Sequence, residues 1–280
     1  MKEDIIFNQI YDFENLSSIK DARKYLNTLL ENYPKLKDEK KQGYIFKLKG
    51  LCLYTIDIDT LFDRWGYRVL SGKKAIQDMI SSQFIGLNQD NFTDKIKELQ
   101  DVLNEFTDTK KTKIIKKPEI TTVFNTICEK FPNFENILHN VCIEILILRE
   151  TNKNYNSLCY PDSDFIGFKI LCLYMKDEKE YKDGTTNPIY VLLHELGHVI
   201  NWYITKEKKK VPDSFFKVVG KYNTSLKPED PLALEVFADS FAMAVMHNTE
   251  LDKYNPFNNI IEEEVFIRLE NYFQNIFNNI

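Results

Sequence analysis

The chain has 280 residues, 43% of them apolar and 28% charged, which allows one large domain or two modest ones around a real core. Its formal net charge of -5 and pI near 5.6 argue against a nucleic-acid binder, which usually carries a basic face. No stretch approaches the ~20 apolar residues that span a bilayer, and the five cysteines are widely spaced and lack CxxC pairs, so neither a disulfide framework nor a structural zinc site is implied.

The N-terminus MKEDIIFNQIYDFENL has acids from its third residue and neither a basic start nor a small-residue cleavage site, so it does not read as a signal peptide. With the thiols read as core residues of a reducing compartment, the expectation is a cytoplasmic chain, a non-classical route to another cell being the other option. From Ser17 to Leu30 the apolar positions Ile19, Ala22, Tyr25, Leu26, Leu29 and Leu30 recur at helical intervals, with Ser17 or Ser18 as cap. Lys73 to Phe84 and Phe92 to Phe106 repeat the pattern. The polar, basic stretch TDTKKTKIIKKP interrupts it and sets an expected boundary between a helical N-terminal region, 1–112, and a second domain, 113–280. A further helix is predicted from Pro118 to Phe131. Strands are predicted at Val141 to Leu148 and Ile166 to Tyr174, short β-branched apolar runs flanked by Asn, Asp and Pro. Asn187 suits an N-cap and Pro188 a first helical position for a nearly continuous apolar helix through Tyr203. Helices at Pro212 to Tyr222, Pro231 to Met246 and Ile260 to Ile276 complete an α+β expectation, with a small mixed sheet packed on helices.

Within the apolar helix lies His194-Glu195-Leu196-Gly197-His198. At about 3.6 residues per turn the two histidines project from one face and can share a metal ion. A lone histidine on an apolar helix is most often a satisfied core residue. Two histidines and a glutamate together would each carry a desolvation penalty that a divalent cation offsets and core packing does not. One zinc per chain is therefore expected, with Glu195 placed to take a proton from the attacking water. A third ligand comes from Glu235, 37 residues beyond His198, in the helix LALEVFADSFAMAVM. Asp239, one turn on, can reach a histidine N–H from behind. Leu232, Leu234, Phe237, Phe241 and Met243 surround these acids in sequence, which argues against both being exposed. His247 is expected to be structural, His139 is assigned no role because no ligand-like partner lies near it in sequence, and the run Lys206 to Lys210 is expected to be a solvated helix end.

These residues resemble the gluzincin metallopeptidases, and within them the catalytic domain of anthrax lethal factor and the related Pro-Pro endopeptidases. The similarity rests on LCYPDSDFIGFKILCLY, HELGHVINWY and LEVFADSFAMAVMHN in that order, over about the last 120 residues. The resemblance implies a gluzincin-type domain in which His194, His198 and Glu235 hold zinc, Glu195 is the base, and a protein or peptide substrate is hydrolysed. It also implies that the strand at Ile166 to Tyr174 holds an extended peptide by β-augmentation. The family uses a tyrosine shortly before the glutamate ligand to stabilise the oxyanion. Here Pro228 stands at that spacing, and Tyr222, thirteen residues before Glu235, is the candidate. HELGH and the Glu-x-x-Ala-acid helix are shared with cytosolic regulatory peptidases of the phage-repressor-cleaving type, the alternative reading. A catalytically silent binding module on the same fold is a third.

Overall fold

The computed structural model of the chain describes residues 2–55, 67–108, 115–148, 150–152, 157–160, 169–172, 187–207, 209–219 and 226–279. These are mostly helical with small sheets, an α+β architecture. In chain order the helices are α1 (Lys2–Tyr11), α2 (Ile19–Asn32), α3 (Asp38–Thr55), α4 (Lys73–Phe84), α5 (Phe92–Asn104), α6 (Lys117–Lys130), α7 (Phe134–Val141), α8 (Pro188–Thr205), α9 (Asp213–Val219), α10 (Pro231–Met246) and α11 (Glu263–Asn278). The strands are β1 (Tyr67–Ser71), β2 (Phe106–Asp108), β3 (Ile143–Ile147), β4 (Glu150–Asn152), β5 (Ser157–Tyr160) and β6 (Lys169–Cys172). No helix among the described residues is long and apolar enough to cross a membrane.

Two compact units divide the chain. One is drawn from the described residues of Met1–Leu61, Leu70–Lys110 and Leu146–Tyr155. Its core is the apolar stripes of α2 (Ile19, Ala22, Tyr25, Leu26, Leu29) and α5 (Phe92, Ile96, Leu99, Leu103), which face each other because only mutual burial removes both from water. Ser18 caps α2, its hydroxyl oxygen accepting from the Asp21 amide at 3.1 Å. The Arg23 guanidinium donates to the carbonyl oxygens of Leu103, in the last turn of α5, and of Phe106, the first residue of β2. Phe106 to Asp108 pair antiparallel with Glu150 to Asn152, β2 on β4.

The second unit comes from the described residues of Phe62–Val69, Lys111–Ile145 and Asn156–Ile280. It holds β5, β6 and the first three residues of β1 and of β3; the strand order is β1-β3-β6-β5, and β5 runs antiparallel to β6, with Ser157 opposite Cys172 and Cys159 opposite Ile170. Each residue of β3 is buried, and the Glu144 carboxylate within it is paired with Arg68 of β1. Helix α8 lies against β5 and β6 and packs most extensively on α10, which in turn meets α11. Phe131, Phe134, Phe237, Phe241, Phe273 and Phe277 interlock edge to face, with several centroid separations of 5.3 or 5.4 Å. Both site-bearing helices have explicit starts: Asn187 accepts from the Ile189 amide at 2.9 Å and Asp230 from the Leu232 amide at 3.0 Å, each followed by proline.

Two sequence expectations change here. Val141 closes α7 instead of opening a strand. Phe134, Ile137, Leu138 and Val141 follow the i, i+3, i+4, i+7 stripe of a buried helix face, and Cys142 turns the chain through a left-handed conformation (φ 55°) before β3 begins. The part of the predicted Ile166 to Tyr174 strand that is described, β6, lies between β3 and β5, so both its edges are paired and it cannot receive a peptide strand. Residues 161–168 and 173–174 of that prediction lie outside the described residues.

Candidate metal centre

Gly197 sets the spacing of α8 and α10. A Cβ at that position would stand 2.6 Å from the Ala238 Cα and 2.9 Å from its carbonyl oxygen, closer than side-chain atoms approach a backbone. Glycine opposite alanine therefore lets the two helix backbones nearly touch. Tyr190 and His194 meet Asp239 while His194 and His198 meet Glu235, so the helices run antiparallel and face each other residue by residue.

Across this contact His194 Nε2 is 3.2 Å from His198 Nε2 and 3.1 Å from Glu235 Oε2, and His198 Nε2 is 3.6 Å from Glu235 Oε1. One donor atom from each residue can be chosen so that all lie within 4.8 Å of one another. Two nitrogens bound to one zinc ion at ~2.0–2.1 Å with tetrahedral angles lie about 3.3–3.4 Å apart. The imidazole separation matches that edge. Two imidazoles and a carboxylate are also a donor set that zinc accepts, so the residues fit the ion.

The rest of the cluster orients these donors. His194 Nδ1 is 2.7 Å from Asp239 Oδ1, which also accepts from the Tyr190 hydroxyl. With its Nδ1–H donated to Asp239, His194 aims Nε2 at His198 and Glu235, where a metal ion that displaced the Nε2 proton would meet its lone pair. Glu195, only 5% exposed, accepts a hydrogen bond through Oε1 from the Ser157 hydroxyl.

The electrostatics show what the cluster attracts. Burial lowers the proton affinity of His194, but hydrogen bonds to Asp239 and Glu235 outweigh it and push the imidazole up to about 10. His194 and His198 in turn hold the Glu235 carboxyl well below the usual carboxylate range. Without a metal the pocket thus draws a proton between its ligands, at the place where a divalent cation would sit. Burial raises the Glu195 carboxyl, partly opposed by His198, Ser157 and His194. A raised carboxyl is a better proton acceptor once ionised.

Glu235 is more open than its neighbours in sequence suggest, at 56% side-chain exposure, and Leu232 is 55% exposed. Helix α10 buries Ala233, Phe237, Ala238, Phe241, Ala242 and Val245, which leaves Leu232 and Glu235 on the opposite edge. Tyr222 lies outside the described residues. The described Pro228 accepts from the Val211 amide through its carbonyl oxygen at 3.0 Å. Tyr190 does not stand in as an oxyanion donor, since its hydroxyl is spent on Asp239, on the Nδ1 side of His194. The two other histidines are elsewhere: His139 sits 3.6 Å from Glu135 one turn away, and His247, buried at the end of α10, contacts Glu270 at 2.7 Å and Glu263 at 2.9 Å.

Sequence reasoning did not find Tyr190, Ser157 or the role of Gly197. Tyr190 precedes His194 by four residues and shares its helix face, a signal that was present. Ser157 carried none, because its meeting with Glu195 depends on how β5 lies on α8. No family model, no curated protein and no solved structure matches this chain.

Proposed function

We propose that the protein is a zinc metallopeptidase, with His194, His198 and Glu235 as ligands and Glu195 as general base. The observation that carries this reading is the convergence of the two imidazole Nε2 atoms and the Glu235 carboxylate across the α8–α10 contact, beside a buried glutamate. Zinc held there would supply Lewis acidity toward a carbonyl oxygen and toward a water molecule. Glu195 would take a proton from the water that attacks the scissile carbonyl and deliver it to the amine that departs as the C–N bond breaks. Asp239 and Tyr190 fix the tautomer and tilt of His194. A peptide substrate would lie along β5, which among the described residues is an edge strand of the sheet and packs on α8, because β6 is paired on both sides. The gluzincin resemblance of the three stretches supports peptide hydrolysis over other carbonyl chemistry.

The experiment is elemental analysis of the purified protein, wild type against His194→Ala and Glu235→Ala, joined to cleavage of a diverse peptide library. One zinc per chain, lost in both variants, is expected. Cleavage is expected to disappear in Glu195→Gln while zinc remains. Zinc without cleavage in any peptide pool would turn the reading toward a binding module; no zinc under replete conditions would remove it.

A further inference from the structure

Glu195 is a buried base on a flexible side chain, and something must hold its carboxylate in place. It follows His194 by one residue, so helical geometry turns it about 100° away from the ligand face. It is only 5% exposed. A glutamate that fixes its rotamers gives up conformational freedom, and a buried carboxylate without a donor is costly. Ser157 meets both needs. It is the first residue of β5, its cross-strand neighbour on β6 is Cys172, and α8 packs on both strands, so the hydroxyl is carried by a sheet and not by a loop.

We infer that Ser157 is a positioning residue for the base: its hydroxyl holds Glu195 Oε1 and leaves Oε2 as the oxygen that exchanges the proton. The geometry is the hydrogen bond from Ser157 Oγ to Glu195 Oε1. A serine hydroxyl has one proton to give, and here it is given to the carboxylate. The assignment rests on the reading of Glu195 as base, but the tether between the two residues can be tested without catalysis.

The first measurement is a thermal double-mutant cycle on the metal-free chain, with Ser157→Ala and Glu195→Ala made singly and together. Ser157→Ala is expected to lower the melting temperature by about 4–8 °C in the wild-type background and by under about 2 °C in the Glu195→Ala background. Equal losses in both backgrounds would overturn the tether. The second measurement uses the zinc-loaded enzyme. Ser157→Ala should reduce kcat by about 10- to 100-fold with KM within about threefold and zinc content unchanged, and Ser157→Thr, which keeps the hydroxyl, should recover most of the loss. Wild-type kcat in Ser157→Ala, or a loss confined to KM, would overturn the positioning role. If the wild type cleaves nothing, the metallopeptidase reading falls, and the cycle alone decides whether Ser157 holds Glu195.

Discussion

Asp239 Oδ1 receives both the Tyr190 hydroxyl and the His194 Nδ1–H, which fixes His194 Nε2 on the side of His198 and Glu235. Removing the carboxylate frees the ring to rotate and to change tautomer. Asp239→Ala is therefore expected to weaken zinc binding by about 10- to 100-fold, and Tyr190→Phe by a smaller factor in the same direction, read by competition with a chromophoric chelator. A pH dependence follows from the same residues in the metal-free chain. His194 has a folded value raised from 6.5 to about 10, so its contribution to stability is complete below pH 6.5 and is lost as pH rises toward 10. Glu235 is shifted the other way, and its contribution fades only as acid protonates it. With EDTA present, the melting temperature should decline from pH 6.5 to 10 more steeply in the wild type than in a Glu235→Gln, Asp239→Asn protein; parallel curves would show that the proton is held elsewhere. The clustering of His194, His198 and Glu235 was legible because an i, i+4 pair of histidines on an apolar helix has few meanings, and Asp239 follows Glu235 by one turn. Exposure of Glu235 was not legible. Its apolar sequence neighbours Phe237 and Phe241 point to the other side of the helix, and only the packing of α10 on α8 and α11 decides which side is core.

At the scale of elements, the site depends on how closely α8 and α10 approach. Gly197→Ala places a methyl group 2.6 Å from the Ala238 Cα, and a backbone cannot swing aside as the end of a side chain can. The helices must part, costing about 1–3 kcal/mol for the overpacked contact. The carboxylate of Glu235 then withdraws from both imidazoles. The expected result is a lower denaturant midpoint together with at least a tenfold weaker zinc affinity, whereas wild-type affinity with unchanged stability would mean that the helices are not in contact there. The elements that sequence reading delimited well, α4 and α10 above all, have a clear apolar stripe, capping residues or an N-terminal proline. Of those it missed, α7 has the stripe but only eight residues to show it, and α3 and β5 lack such marks. In α3 the buried residues Tyr44, Ile45, Leu48 and Cys52 keep a helical spacing, but the exposed Phe46 breaks the stripe when the sequence is read alone. The strand β5 is only four residues long, and nothing short of its pairing with β6 distinguishes it from a loop.

For the molecule as a whole, the ligands come from two helices that the chain brings together after a 37-residue excursion, so zinc would act as a cross-link within the second unit. An ion that binds the folded chain and not the unfolded one stabilises it by mass action, about 4 kcal/mol when present at a thousand times its dissociation constant. For a domain of this size that corresponds to a rise in melting temperature of roughly 8–16 °C. The location of the effect is as informative as its size. No predicted ligand belongs to the unit built on α2 and α5, so hydrogen exchange should slow on zinc addition in α8 and α10 and stay unchanged in those two helices. Slowing confined to the second unit would show that the two units open independently and that the metal reports on only one of them. Equal slowing in α2 and α5 would show that the chain opens as a single cooperative body, in which case a change in the first unit would alter zinc affinity from a distance. Substitutions such as Leu26→Ala, which hollow the α2–α5 core, then separate the two cases: zinc affinity should hold under the first and fall with global stability under the second.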